Sequence, residues 1–508
     1  MRNRLFAVVA LAILISQPVI LTSSIAIIPA ADISNSKLII TAQDHGTRLA
    51  PSEHTNHVAI LINGSDDFTS QGWPGAGTEN NPFVISGLNI TYDIDIPLIR
   101  IFNVDDYFVI EDCFVNQLSS YYAIHLENVT NAMIRYTTAI SPYGSVICVN
   151  ADGTTAENLL LVSGNKYGLY ITNSESFDLT RSLVNTSSYN GVYLNGSAQS
   201  SISDSIIDSA NPYFDIEIRY SNNVTVTDTE FHAAAIEVYI YRCAYFYGDG
   251  ITSGEGTIGM YLYQSNDTEI VNADITSTDE ALYSYSCLGL SISDSIFSSP
   301  TYIQETMDFT LCDNVLLDNI HLNNTGGDGI RLTQTNATIQ NSLFTYIGDN
   351  AIELSQSHDT KIFSNTFEHI YNDAIYMSQS HRANVTGNIA DDLGRFIVPQ
   401  SSDNGTIYMN EIVDANAGVA SWDCEGWEVY GNTISEVISG ISVSLGAFFD
   451  VWENTITEAS GAGIQTDTHG LFEAWENTIT SCADIGISHV DSDSVYDRDN
   501  IITDCDAG

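Results

Sequence analysis

Lysine is almost missing from this chain: it stands only at positions 37, 166 and 361. With the arginines it makes 15 basic residues against 64 acidic ones, and 15 minus 64 gives the formal charge of -49. A phosphate backbone or an anionic lipid surface would be repelled by such a field, so nucleic acid is excluded as a partner. Helical faces are scarce, and beyond the amino terminus no apolar run approaches the roughly 20 residues that span a bilayer. The 8 cysteines contain no metal-type CxxC spacing, which removes the zinc-ribbon class. What remains plentiful is Gly, Asn, Ser, Thr, Ile and Tyr, the vocabulary of strands and turns.

Residues 1–31 open with Arg2 and Arg4, pass through the apolar run Leu5 to Ile15 and reach the small residues Ala26, Ala30 and Ala31. This is the grammar of an export signal. Gln17 and Pro18 interrupt the apolar stretch and favour cleavage; a retained anchor running to Ile28 is the alternative. The mature chain is expected outside the membrane, secreted or on the cell surface, as a monomer without an integral membrane domain.

A repeat of 22 to 23 residues follows. Val451-Trp452-Glu453-Asn454-Thr455-Ile456-Thr457 recurs as Ala474-Trp475-Glu476-Asn477-Thr478-Ile479-Thr480, and a weaker copy begins at Val429. A small residue followed by apolar-x-apolar marks the same phase, as in Gly329-Ile330-Arg331-Leu332 and Ala351-Ile352-Glu353-Leu354. Its anchors run from Ile124, Ile147, Leu169, Val192 and Ile216 through Met307, Ile330, Ile352 and Ile375 to Phe396, Val419, Ile441, Ile464 and Ile487. Alternation within short strings bounded by Gly, Asn, Asp and Ser predicts two or three strands per coil. Stacked coils pair each strand in parallel with its copy above and below, about 4.8 Å away, and parallel crossovers run right-handed. The expectation is an all-β, single-stranded right-handed parallel β-helix of about 18–19 coils over residues 84–508, open to truncation at its carboxyl end, behind a lead-in and cap at 32–83. Leucine-rich repeats fit less well, because the return segment is Ile, Asn, Ser and Thr rather than Leu-rich.

Residues at equal offset from the anchors stack into columns. Five past the anchor runs a ladder of small residues, including Ser174, Ser197, Ser221, Cys243, Ser265, Cys287, Cys312, Ser401 and Cys424. Its cysteines read as packing choices. Cys287 with Cys312, and Cys482 with Cys505, lie one rung apart, within disulfide range. Facing outward, Tyr239, Tyr261 and Tyr283 form one row and Tyr241, Tyr263 and Tyr285 a second. Such rings either stack on sugar faces or simply stabilise the sheet through cross-strand pairing. Trp452 and Trp475, with Tyr430, form another row with the same two readings.

The next coils carry the densest charge: Glu305, Asp308, Asp328, Arg331, Glu353 and Asp373, with Asn350 among them. Carboxylates one rung apart suit calcium or an acid–base pair acting on a glycoside; an ordinary charge ladder is the plainer reading. No metal site is assigned, calcium being the one ion left open. His358 and His381 share a turn in adjacent coils and read as a polar ladder.

The anchors and the Asn454-Thr455-Ile456 type of string resemble the parallel β-helix repeats of the pectin-lyase-like superfamily, including its carbohydrate-binding and sugar-hydrolase modules and the NosD type. The resemblance covers roughly 84–508 and implies the fold far more sharply than an activity. Asp67-Phe68-Thr69 to Gly77-Thr78, then Asn81-Pro82-Phe83-Val84-Ile85, resembles the lead-in of exported members. The strings that mark polygalacturonases do not occur as a set; Asp391-Asp392 stands alone, and Arg331 is the only candidate for the basic residue of a pectate-type lyase. The leading expectation is an exported surface scaffold binding extracellular polysaccharide or another cell-surface component. The alternatives are a lyase, hydrolase or epimerase working around Arg331, and a structural cell-envelope component.

Overall fold

The computed structural model describes residues 54–506 except 211–212, 233, 255 and 302–304. The expected export signal at 1–31, and the lead-in up to residue 53, lie outside the described residues. All the described residues belong to one compact unit, 39–508.

That unit is a right-handed parallel β-solenoid of about 18 turns, with a single helix, Asp66–Gln71, among the described residues. Most coils contribute three short strands. In one of them these are Val146–Asp152, Thr155–Glu157 and Leu160–Ser163, and each pairs in parallel with its counterpart in the next coil, Leu169–Thr172, Asp178–Thr180 and Leu183–Thr186. Three ladders therefore run the length of the solenoid. The corners between them use left-handed residues, Asn and Asp more often than any other non-glycine type, such as Asn131, Asn150 and Asn173 with φ of 57°, 50° and 49°. These are the non-glycine residues that reach that region at least cost, which explains their abundance.

Ile330, Ile352 and Ile375 stand one above the next in register and are wholly buried. The register departs from the anchor list at two places. Val146, not Ile147, stacks on Ile124 and Leu169, and Ile397, not Phe396, stacks on Ile375 and Val419. Both errors have one cause: neighbouring apolar residues, one turned in and one turned out or into the corner, leave the phase ambiguous by one. The second slip carries Ser402 rather than Ser401 into the small-residue ladder, where its hydroxyl accepts the Ser380 amide at 2.9 Å.

The small-residue ladder is a chain of such bonds, for example Ser174 amide to Ser197 hydroxyl at 3.1 Å and Cys243 amide to Ser265 hydroxyl at 3.2 Å. Cys287, Cys312 and Cys424 occupy it as thiols, and all 8 cysteines are free. A second inward column, at the corner between the second and third ladders, turns into an unbroken asparagine ladder from Asn365 through Asn388, Asn410, Asn432, Asn454 and Asn477 to Asn500. Within it each amide oxygen accepts both the backbone and the side-chain N–H of the preceding asparagine, so buried polar atoms are satisfied internally.

Beside the first ladder, the column just before the anchor is crowded. A Cβ on Gly191 would lie 2.3 Å from Ile207 Cγ2, so that coil requires glycine. Near the amino end, Phe68 of the helix stacks on Phe83 at 4.7 Å and lies 5.6 Å from Phe108. Pairing already begins inside the segment expected as lead-in, where Ile60–Asn63 adds to Ile99–Phe102.

Candidate functional site

Two outward columns of the first ladder build the site. One past the anchor, Tyr239, Tyr261 and Tyr283 are followed in register by Asp308, Arg331, Glu353 and Tyr376. Three past it come Tyr241, Tyr263 and Tyr285. The tyrosine rows and the acid cluster, read separately in the sequence, are thus one surface. Trp452 and Trp475 are elsewhere: they stack with Tyr408 and Tyr430 on the second ladder, and Arg498 covers Trp475 at 5.1 Å.

The rings are half-buried and stacked on one another. Tyr241–Tyr263 and Tyr263–Tyr285 lie 5.2 and 5.3 Å apart at 11° and 12°; Tyr239–Tyr261 and Tyr261–Tyr283 lie 5.3 and 4.8 Å apart at steeper angles. Ring faces are therefore occupied by neighbouring rings, and ring edges and hydroxyls meet the solvent. Burial pushes the Tyr239 and Tyr283 phenols up to about 12, so they stay protonated donors.

The carboxylates come from a third column, two before the anchor: Glu280, Glu305, Asp328, Asn350 and Asp373, then Arg395. Glu280, Glu305, Asp308, Asp328 and Asp373 are all buried. Arg331 binds Glu305 and lies 3.6 Å from Asp328 and 3.3 Å from Glu353. Asp328 Oδ1 accepts the Asn350 amide at 3.0 Å and its Nδ2 at 3.1 Å; Asp308 accepts the Thr310 hydroxyl at 2.8 Å. Arg395 clasps Asp373 with two bonds of 2.7 and 2.8 Å. Burial, with Asp308 and Glu305 nearby, pushes the Glu280 carboxyl up to about 7. Burial and a shared hydrogen bond with Glu353 bring Asp328 to about 7 as well. Asp373 thus sits with its own arginine, one coil beyond the group that Arg331 gathers.

Two residues of this site escaped the sequence reading. Glu280 precedes Leu282 by the same two positions that separate Glu305 from Met307, so the offset alone could have found it. Arg395 was hidden by the slip at Phe396, which placed it one position from the anchor instead of two.

The fold is that of a right-handed parallel β-helix protein, here with an outward acid–aromatic face. The chain belongs to the family described as "Periplasmic copper-binding protein (NosD)", which matches residues 104–245, 244–420 and 369–504. Among solved structures it is similar to DFA-IIIase from Arthrobacter chlorophenolicus A6 without its lid in complex with GF2, at 10% identity over 57% of this chain and 85% of that one, TM-score 0.32. It is similar to the catalytic unit of a thermostable GH87 alpha-1,3-glucanase from Streptomyces thermodiastaticus strain HF3-3, at 10% identity over 69% and 66%, TM-score 0.32. The Streptococcus pneumoniae surface protein and adhesin PfbA matches at 11% identity over 88% and 98%, TM-score 0.22. No curated protein matches the chain.

Copper favours imidazole, thiolate and thioether donors, and among the described residues no group of three or more His, Cys, Asp or Glu donors includes an imidazole or a thiol. The rings of His358 and His381 stack 4.9 Å apart. Their Nδ1 atoms accept the His381 and Asp403 backbone amides at 3.1 and 2.9 Å. That places the ring proton on Nε2 and leaves neither nitrogen a free lone pair. Burial raises the Cys113 and Cys243 thiols to about 11 and Cys148 to about 12, away from the thiolate form that binds metal; the Cys312 thiol one rung on draws Cys287 down to about 7, but that pair belongs to no group of three or more His, Cys, Asp or Glu donors among the described residues. Among the described residues the one group of three or more His, Cys, Asp or Glu donors able to share an ion is Glu280, Glu305 and Asp308, an all-oxygen set. No helix among them is long and apolar enough to cross a membrane.

Proposed function

We propose that this is an exported protein that binds extracellular polysaccharide along the first ladder, from the two tyrosine rows to the carboxylates around Arg331. The observation that carries the reading is the register of Tyr283 with Asp308, which makes the rows and the cluster one continuous strip. Because the rings spend their faces on each other, the strip meets a sugar chain with ring edges, a comb of phenolic hydroxyls and then carboxylate acceptors. Polyols need that mixture of apolar edge and directional hydrogen bonds. The sequence of residues 1–31, which reads as an export signal, supports a location outside the membrane.

A glycan array with the full chain tests the reading. Binding to at least one glycan class is expected, weakened about tenfold, or about 1.4 kcal/mol, by Tyr283→Ala together with Tyr285→Ala. Retention of full affinity in that double variant, while Trp452→Ala abolishes binding, would move the site to the second ladder.

A second reading, chemistry on the bound glycan, is favoured by Asp328 and Glu353. They share a hydrogen bond beside Arg331, and burial holds Asp328 near 7, the range of a general acid at neutral pH. Release of reducing or unsaturated ends that is lost in Asp328→Asn would support it. Turnover that continues unchanged in that variant would sink it.

A further inference from the structure

Glu280, Glu305 and Asp308 each offer an oxygen within 4.8 Å of the others, and all three side chains are buried. Two oxygens on one calcium ion lie at most twice the bond length apart, about 4.8 Å, so the three can share one ion without moving the backbone. The arginine beside them pairs with one of the three: Arg331 reaches Glu305, and beyond it Asp328 and Glu353, but forms no ion pair with Glu280 or Asp308. Glu280 supplies a second, independent observation. Its side chain is only 8% exposed, points into the cluster, and makes no hydrogen bond or ion pair with any described residue. A buried carboxylate in that state is costly, whereas every comparable one nearby has a partner: Asp328 has Asn350, and Asp373 has Arg395.

We infer that Glu280, Glu305 and Asp308 form a site for a hard divalent cation, calcium in the first place, at the end of the tyrosine rows. Three carboxylates supply three to six of the six to eight oxygens that calcium takes, water completing the shell. An all-oxygen set of this kind suits calcium, magnesium or manganese and is a poor match to the imidazole and sulfur chemistry of copper sites. The ion would place positive charge in contact with all three carboxylates, where Arg331 pairs with Glu305 alone. The inference stands apart from glycan binding, because its test contains no glycan.

The test is terbium luminescence on the full chain, excited through the tyrosines. Tyr283 adjoins Asp308 in register, so an ion held here accepts energy from it. Titration into calcium-free protein should give emission that saturates and that calcium reverses. Glu280→Gln and Asp308→Asn should each weaken that saturable phase about tenfold or more, whereas Asp391→Asn, on another ladder and exposed, should leave it intact. Calcium should raise the melting temperature of the wild type and not of the two cluster variants. Should Glu280→Gln not fold, Glu280→Asp, which keeps the charge and withdraws the oxygen, carries the same expectation. Emission that never saturates, or that saturates identically in the cluster variants, overturns the site.

Discussion

The coils from Glu280 to Arg395 and those from Ala417 to Ile487 share the first ladder, the same stacked aliphatic interior and nearly the same coil length, yet they differ on both sides of the backbone. Outside, the earlier coils carry Glu280, Glu305, Asp328, Asp373 and Arg395 two before the anchor, where the later coils carry Ala417, Ser439 and Ala462. Inside, the corner column reads Ala273, Ser295, Ile320 and Ser342 in the earlier coils and asparagine at every step from Asn365 onward. The ornamented face thus begins over an irregular corner, and the plain face lies over an unbroken polar ladder. A solenoid coil touches only its neighbours, so outward chemistry can change over a few coils while the interior continues without interruption.

Breaking the asparagine ladder should have the largest effect. Asn432 accepts the Asn410 amide and Nδ2, and donates to the Ile407 and Tyr430 carbonyls and to Asn454 Oδ1. Asn432→Ala strands the Asn410 backbone amide and one Asn410 Nδ2 proton in the interior and removes a donor from Asn454 Oδ1, which keeps the backbone N–H of residue 432. At about 1–3 kcal/mol for each orphaned group, partly relieved by relaxation, we expect a loss of about 4 kcal/mol in denaturant unfolding. Ser295→Ala in the irregular column removes one acceptor from the Ala273 amide and should cost about 1 kcal/mol. Equal losses at the two positions would erase the contrast between the regions.

On the ornamented face, Arg331→Ala leaves Glu305, Asp328 and Glu353 without their shared cation. Removing one partner of a buried pair costs about 3–5 kcal/mol. Arg331 is 36% exposed, so solvent screens part of the loss and about 2 kcal/mol is expected by thermal melting at low salt. A neutral or stabilising result would mean that the cluster does not need its arginine.

The repeat made most of this architecture legible. Side chains 22 or 23 positions apart are vertical neighbours, and the interior follows from strings such as Gly329-Ile330-Arg331-Leu332. The tyrosine rows and most of the acid cluster were legible for the same reason. Where two apolar residues adjoin, as at Val146-Ile147 and Phe396-Ile397, period alone cannot say which turns inward, and Arg395 was lost with that choice. Tertiary crowding decides what pattern leaves open: the spacing allowed two readings for the tyrosines, and their ring faces are taken up by their own neighbours. Asp215 and Glu237 were passed over because Ile216 and Val238 beside them looked like ordinary anchors, although both carboxylates are wholly buried.

Asp215, in a coil before both regions, provides a pH-dependent test of how far the solenoid interior tolerates charge. Its Oδ1 accepts the Ser209 amide and hydroxyl at 2.7 and 2.6 Å, while Oδ2 is buried without a hydrogen bond. Burial raises its pKa well above 3.8, against the opposing pull of Ser209. The folded chain therefore holds this proton more tightly than the unfolded one. The stability it contributes is full in acid and falls as pH rises from the ordinary carboxylate value to the raised one. Asp215→Asn removes that dependence, so its melting temperature should exceed the wild type at pH 7 and converge with it near pH 4. A gap that stays constant across that range would show that Asp215 does not titrate in the interior.

The smallest effect should come from an ion pair that resembles the Arg331 cluster on paper and differs from it in burial. Arg382 holds Asp359 with two bonds of 2.7 Å one coil apart, geometry as good as that of Arg395 with Asp373. Its partner, however, is more than half exposed, whereas Asp373 is 1% exposed. In water the attraction is screened, and holding two long side chains together offsets what is left. Arg382→Ala should leave the melting temperature unchanged at physiological salt, while Arg395→Ala, which strands a buried carboxylate, lowers it. If both variants melt alike, burial is not what separates this protein's structural ion pairs from its decorative ones.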